Sequence, residues 1–304
     1  MDMDVNIFDV SPSFTPWFKG LREPQIKKNE LIEWLANSGF QSIHAGDIWA
    51  YESDNRDGFT TELYRGYSDL VKSKLSINIY SVEDYEKAIS LGIKHLVYGI
   101  SISESHSQAL IKKTVDSSID ELLCIIAKSA SCGDTEIRVN VETCFYCPYE
   151  GKTHLSRIEK VLDKILSKYS DVELCLSDEM GRATPDHVDQ LFKILAQRYS
   201  STSVRWAFQG LDSYGLGICN VMAAYRNGVR TFGASLGGIS EGSYSAKDYI
   251  NTVSEDLIFM FERMGISTNI DVQKLLVVAD RAAMLTGTGL KGRIRLLPRS
   301  RTFT

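Results

Sequence analysis

Several things are scarce in this chain of 304 residues. No window approaches 18 uninterrupted apolar residues, so no membrane-spanning helix is expected. The opening MDMDVNIFDV lacks a basic stretch followed by an apolar one, so it does not read as a secretory signal. Cysteine is sparse and scattered, at Cys124, Cys132, Cys144, Cys147, Cys175 and Cys219, which fits reduced thiols in the cytoplasm better than a disulfide framework. A basic excess is missing too. Lys and Arg total 34 against 39 Asp and Glu, a formal charge of −5, and this gives no overall field to attract nucleic acid or an anionic membrane. The basic exception is the end of the chain, where Lys291, Arg293, Arg295, Arg299 and Arg301 read as a solvated tail over 289–304.

What is present is alternation. Short β-branched runs occur at Val5–Val10, Ser42–Trp49, Ser76–Tyr80, His95–Ile100, Glu136–Thr143, Glu173–Asp178, Ser203–Gln209 and Thr231–Ala234. Between them apolar residues recur every three or four positions, as in Lys27–Ser38, Asp116–Ser131 and Leu155–Lys168. Thr184-Pro185 supplies a helix start. Gly39, Gly92 and Gly228 sit where helices end before the next strand. Eight strand–helix repeats with no linker predict one closed parallel (β/α)8 TIM barrel over residues 1–288 with an extra C-terminal helix. A doubly wound open sheet is the competitor. The first strand, however, runs into Ser11-Pro12-Ser13-Phe14 rather than a Gly-rich phosphate turn.

In such a barrel the chemistry gathers where strands end. The polar residues placed there are Asp9, His44, Asp47, Asn140, Glu142, Asp178, Glu179, Gln209 and Asp212, with Asn251 heading the last helical segment. Alternation along the fifth strand puts Asn140 and Glu142 on one face. His106, after Ser103-Glu104-Ser105, is a further candidate in the fourth loop. The aromatics Phe14, Trp17, Phe18, Trp49 and Tyr51 follow the first two strands and suggest a packed cover or lid. No expected strand ends in Lys, which argues against a Schiff-base aldolase. Cys144 and Cys147 have the spacing of a metal pair but no second pair nearby, and read as loop packing.

The segments Val141-Glu142-Thr143-Cys144-Phe145-Tyr146-Cys147-Pro148-Tyr149-Glu150-Gly151, Leu176-Ser177-Asp178-Glu179-Met180-Gly181, Asp212-Ser213-Tyr214-Gly215, Ser235-Leu236-Gly237-Gly238 and Ser254-Glu255-Asp256-Leu257 stand in a distinctive order. So does Val272-Gln273-Lys274-Leu275 after them. Together they resemble 3-hydroxy-3-methylglutaryl-CoA lyase and the wider barrel metallolyases and acyl-CoA condensing enzymes. That resemblance implies carbon–carbon bond cleavage or formation beside a carbonyl, on a small oxo- or hydroxy-acid, with a CoA thioester left open. It also implies one divalent metal (Mg, Mn or Zn) at the barrel mouth, and by analogy a homodimer.

Carried over position by position, the family's Arg-Asp falls on Ser13-Phe14 and its His-x-His on Gln209-Gly210-Leu211. Its strand-two Glu falls on His44 and its loop-eight Cys on Ile239. Only Asn251 matches a metal ligand, so the resemblance implies a lost metal site, with Asn251 contributing only if a remodelled one exists. In its place stand Asp47, Glu142 and Glu179, carboxylates where the family keeps small polar residues. Two readings follow. One is a divergent lyase, aldolase or condensing enzyme using Asp178, Glu142, Asp47, Glu179 and His44 as catalytic groups. Asn140, Gln209, Asp212, Asn251 and His106 would then contact substrate. The other is a non-catalytic barrel that binds a metabolite or a protein partner.

Overall fold

The computed structural model describes residues 4–14, 24–48, 61–133, 135–240, 249–286 and 290–298. Eight parallel strands close into a barrel: β1 (Asn6–Asp9), β2 (Ser42–Asp47), β3 (Leu75–Ile79), β4 (His95–Ser101), β5 (Glu136–Glu142), β8 (Glu173–Asp178), β9 (Arg205–Gly210) and β10 (Thr231–Ala234). β1 pairs with β10, Asn6 beside Thr231, and this closes the cylinder. Each strand lies within about two residues of its expected run, as β-branched runs ended by turn residues should. The pattern did not announce a two-stranded hairpin after β5, β6 (Tyr146–Cys147) with β7 (Gly151–Lys152). Each of its strands is only two residues long, too short to carry a period.

Helices ring the strands, and their apolar stripes explain why. In α7 (Leu155–Leu166) the buried residues are Ile158, Val161, Leu162, Ile165 and Leu166, at three- and four-residue spacing on one face. Each such side chain contributes about 1.5–3 kcal/mol when removed from water. The main core is this layer between helices and strands, while a separate apolar cluster of Phe8, Val10, Cys175 and Ala207 sits inside the cylinder. The expected extra C-terminal helix is present as α11 (Val272–Thr286), where Arg281 lies over the Trp34 ring of α1 (Pro24–Asn37) at 5.4 Å. Gly39 closes α1 at φ +113°, and a Cβ there would stand 2.4 Å from the Asn269 carbonyl oxygen. Only glycine fits that turn.

Residues 290–298 differ from a solvated tail. Leu290 and Ile294 are buried, and Lys291 N–H donates to the Gly237 carbonyl at 2.8 Å. The backbone N–H groups of Arg293 and Ile294 donate to Asp256 at 2.9 Å. The cause is apolar: Leu290 covers Gly237, where any side chain would collide with it. Arg299, Arg301, Trp17, Phe18, Trp49 and Tyr51 lie outside the described residues, so the lid expected of those aromatics does too. None of the described helices is long and apolar enough to cross a membrane.

Candidate active site

A cavity of about 300 Å³ opens where the strands end. Eight of the ten expected site residues line it: His44, His106, Asn140, Glu142, Asp178, Glu179, Gln209 and Asn251. Strand register places them. Even-numbered residues of β5 point inward, stacking Arg138, Asn140 and Glu142 up one side of the cavity. Gly233 of β10 has no side chain because a Cβ would meet the Phe8 ring at 2.6 Å and Gln209 at 2.8 Å, so its absence lets both fill the interior.

Asp47 stands behind the lining. One of its oxygens accepts from Asn78 Nδ2 at 2.8 Å and from the Tyr80 hydroxyl at 2.9 Å, and Asn78 and Tyr80 face the cavity. His44 and Asp47 are three apart, and strict alternation would put them on opposite faces. A bulge between them, with Gly46 at φ +118°, aims both toward the interior. Asp212 is outside the cavity lining and accepts from Gly217 N–H at 2.6 Å, at the first residue of α9 (Gly217–Arg226). A carboxylate suits that helix N-terminus. Asp178 lines the cavity, yet both its oxygens turn to the backbone, accepting from Arg182 N–H at 3.2 Å and Ala183 N–H at 2.8 Å. It shapes the loop after β8, and burial raises its carboxyl to about 6.

Glu142 and Glu179 are differently held. Thr143, at φ +59°, donates its N–H to one oxygen of Glu179 at 2.9 Å and its hydroxyl to the Glu142 carbonyl at 2.7 Å. The Thr143 hydroxyl also meets Ser101 Oγ at 3.1 Å, which in turn meets His106 Nδ1 at 3.1 Å. His106 Nδ1 lies 3.7 Å from Glu142. One hydrogen-bonded arc therefore runs from the Glu179 carboxyl through Thr143 to the Glu142 backbone carbonyl, and the Glu142 carboxyl stands beside His106 at its other end. Burial raises Glu142 to about 7, and burial together with the neighbouring Glu142 charge pushes Glu179 well above its ordinary value. Both imidazoles in the lining are pushed toward neutrality by burial, His44 to about 4 and His106 downward.

Sequence reasoning missed Arg138, Asn78, Tyr80 and Tyr249 in the lining. Asn78 and Tyr80 end the third strand and obey the rule that found the others. Arg138 sits one layer deeper, two residues before Asn140 on the same face. Its guanidinium pairs with Glu173 and lies over the Phe8 ring at 4.0 Å, forming the cavity floor.

A family model described as HMGL-like matches residues 25–281. The chain belongs to the HMGL-like family. It is 26% identical over 302 residues to hydroxymethylglutaryl-CoA lyase of Pseudomonas mevalonii, covering 96% of each. To the human mitochondrial hydroxymethylglutaryl-CoA lyase it is 27% identical over 252 residues, covering 82% of this chain and 75% of that one. Among solved structures, the Bacillus subtilis HMG-CoA lyase superposes with a TM-score of 0.85 at 22% identity over 97% of each chain. An Acinetobacter baumannii HMG-CoA lyase in complex with coenzyme A and 3-methylmalate gives 0.84 at 25% identity, covering 98% of this chain and 96% of that one.

Within this family the donor set at the mouth can be tested against the implied metal. Ser13, Phe14, Gln209, Leu211 and Asn251, the residues that fall on the Arg, Asp, His, His and Asn positions, all border the one cavity. Phe14 and Leu211 have no donor atom, Gln209 and Asn251 offer neutral amides, and a divalent ion requires more. Among the described residues no three His, Cys, Asp or Glu side chains come together in a way that would hold a metal. The residues present do not fit the group.

Proposed function

We propose that this barrel is a carbon–carbon lyase of the aldol type, acting on an oxo- or hydroxy-acid without the family's divalent metal. The observation that carries it is the Glu142–Thr143–Glu179 arc: two half-buried carboxyls at one mouth, held apart in role by their surroundings. Cleavage of a 3-hydroxy-acyl group needs a base to take the hydroxyl proton and an acid to protonate the carbanion or enolate left by the departing fragment. Glu142, raised to about 7, is partly ionised at neutral pH and takes the hydroxyl proton. Electrons from that O–H bond form the new carbonyl, the carbon–carbon bond breaks, and its electron pair passes to the enolate. Glu179, held protonated by burial and by the charge beside it, returns a proton to that fragment. His106, 3.7 Å from Glu142, positions the base. Asn140, Gln209 and Asn251 line the cavity where substrate would bind.

The test is product detection by NMR across 3-hydroxy-3-methylglutaryl-CoA and a panel of 3-hydroxy and 2-oxo acids, including amino-substituted ones, with chelator present. The reading expects cleavage of at least one substrate. It expects a rate that rises through pH 7 as Glu142 ionises, and loss of about 10²-fold or more in the rate at saturating substrate in Glu142→Gln. Glu179→Gln should cost a similar factor. A protein that binds these acids but turns none over would instead be the non-catalytic metabolite-binding barrel.

A further inference from the structure

The cavity's hydrogen-bonding groups are unbalanced. Several of its donors are spent within the protein. Ser13 donates to the Val10 carbonyl at 2.6 Å, Tyr80 and Asn78 to Asp47, and Asn251 Nδ2 to the Ile239 carbonyl at 2.8 Å. Its acceptors are open. Asn251 is 1% exposed, and its Oδ1 has no hydrogen-bond partner among the described residues. The same holds for buried Asn140 Oδ1, and both belong to residues of the lining. Buried acceptors left without a donor are costly, so two in one cavity point to a ligand that brings hydrogens.

Charge agrees with this imbalance. Glu142 and Glu179 face the space together. The lining contains Arg138, but its charge is met by Glu173 on the floor. The two lining imidazoles are driven neutral by burial. An anionic group entering here would meet carboxylates and open lone pairs with little to offset them. An ammonium group would find acceptors on several sides, and its three N–H donors match the neutral amide oxygens as well as a carboxylate.

We propose that the substrate of this site carries an amine: an ammonium-bearing hydroxy- or oxo-acid whose nitrogen is held by Asn251 Oδ1, Asn140 Oδ1 and the glutamate pair. This rests on the lyase reading only in taking the same cavity as the substrate site. Carboxyl groups of the ligand would then face the outer opening rather than the glutamates.

Calorimetric titration of the full-length protein with 4-amino-3-hydroxybutanoate, 3-hydroxybutanoate and 3-hydroxy-3-methylglutarate tests it, with NMR of each mixture showing whether the acid is cleaved. The amino acid should bind at least about 10-fold more tightly than its deaminated counterpart, the worth of roughly one charged hydrogen bond. Glu142→Gln, which keeps shape and removes charge, should erase most of that preference. Asn251→Leu should weaken the amine ligand while leaving 3-hydroxybutanoate little changed, and unaltered thermal melting would verify the fold of both variants. The proposal is overturned if the deaminated acid binds equally well, if the dianionic acid binds best, or if Mg²⁺ or Mn²⁺ alone occupies the site and blocks the amine. Turnover separates this idea from the one before it. Amine preference without cleavage sinks the lyase reading and keeps this one, whereas Glu142-dependent cleavage of a purely anionic acid does the reverse.

Discussion

Glu255 offers the cleanest test of the buried electrostatics. It is 0% exposed in the first turn of α10 (Ser254–Arg263), where one oxygen accepts from Gly237 N–H at 2.9 Å. The other has no partner among the described residues and presses on Gly292, where a Cβ would sit 2.2 Å away. Burial raises this carboxyl from 4.5 to about 8. Between those values the folded protein keeps a proton that the unfolded chain has released, so stability falls as pH climbs through the interval. Integrating about 1.4 kcal/mol per pH unit between pH 5 and 8 gives a loss on the order of 3 kcal/mol. Favourable placement at a helix N-terminus offsets part of it. Glu255→Gln keeps the shape and has no proton to lose. Urea unfolding of both proteins at pH 5, 6, 7 and 8 should show the variant gaining about 2–3 kcal/mol on the parent across the range. Asp178, raised to about 6 by burial, titrates in both proteins and cancels in the difference, and Asp9, whose charge also acts on Glu255, adds a smaller remainder below pH 6. Two pH profiles that stay parallel would refute the reasoning, because Glu255 would then ionise alike in both states.

Other outcomes follow from particular contacts. Gly39→Ala should lose at least about 2 kcal/mol in thermal or chemical denaturation, from its φ of +113° and the 2.4 Å approach to Asn269; a variant melting within a degree of the parent would contradict it. Asp178→Asn replaces an acceptor pair facing two backbone N–H groups by one acceptor and one donor. It should destabilise by about 1–3 kcal/mol, read as a lower urea midpoint, and the deficit should shrink as pH climbs from about 4 to 6, where the parent's raised Asp178 carboxyl costs it stability. Ser254→Ala removes a 2.6 Å hydrogen bond to buried Asp9 and should cost about 1–2 kcal/mol, read as a lower urea midpoint with unchanged slope.

Much of the fold was legible because it rests on periodicity. Eight β-branched runs and the stripes between them name a barrel, and the register then brings eight of the ten chosen residues into one cavity. What was not legible depends on contacts no local pattern records. Asp212 and Asp178 look like chemistry in a list of strand ends, yet their oxygens hold backbone N–H groups of the following loops. The bulge at Gly46 that brings Asp47 round to Asn78 and Tyr80 is a register event between strands, invisible along one of them. Residues 290–296 read as a basic tail because charge dominates their composition, while Leu290 and Ile294 decide where they go.

The central claim is that the mouth of this barrel works through its carboxylates with no resident metal. Elemental analysis of the purified protein, before and after dialysis against chelator and followed by titration with Mg²⁺, Mn²⁺ and Zn²⁺, tests it most directly. The account predicts well below one ion per chain and no saturable binding at the mouth, with Glu142→Gln changing neither. One tightly held divalent ion per chain, lost on chelation and restored with activity, would contradict it and return Gln209, Asn251 and the glutamates to the role of ligands.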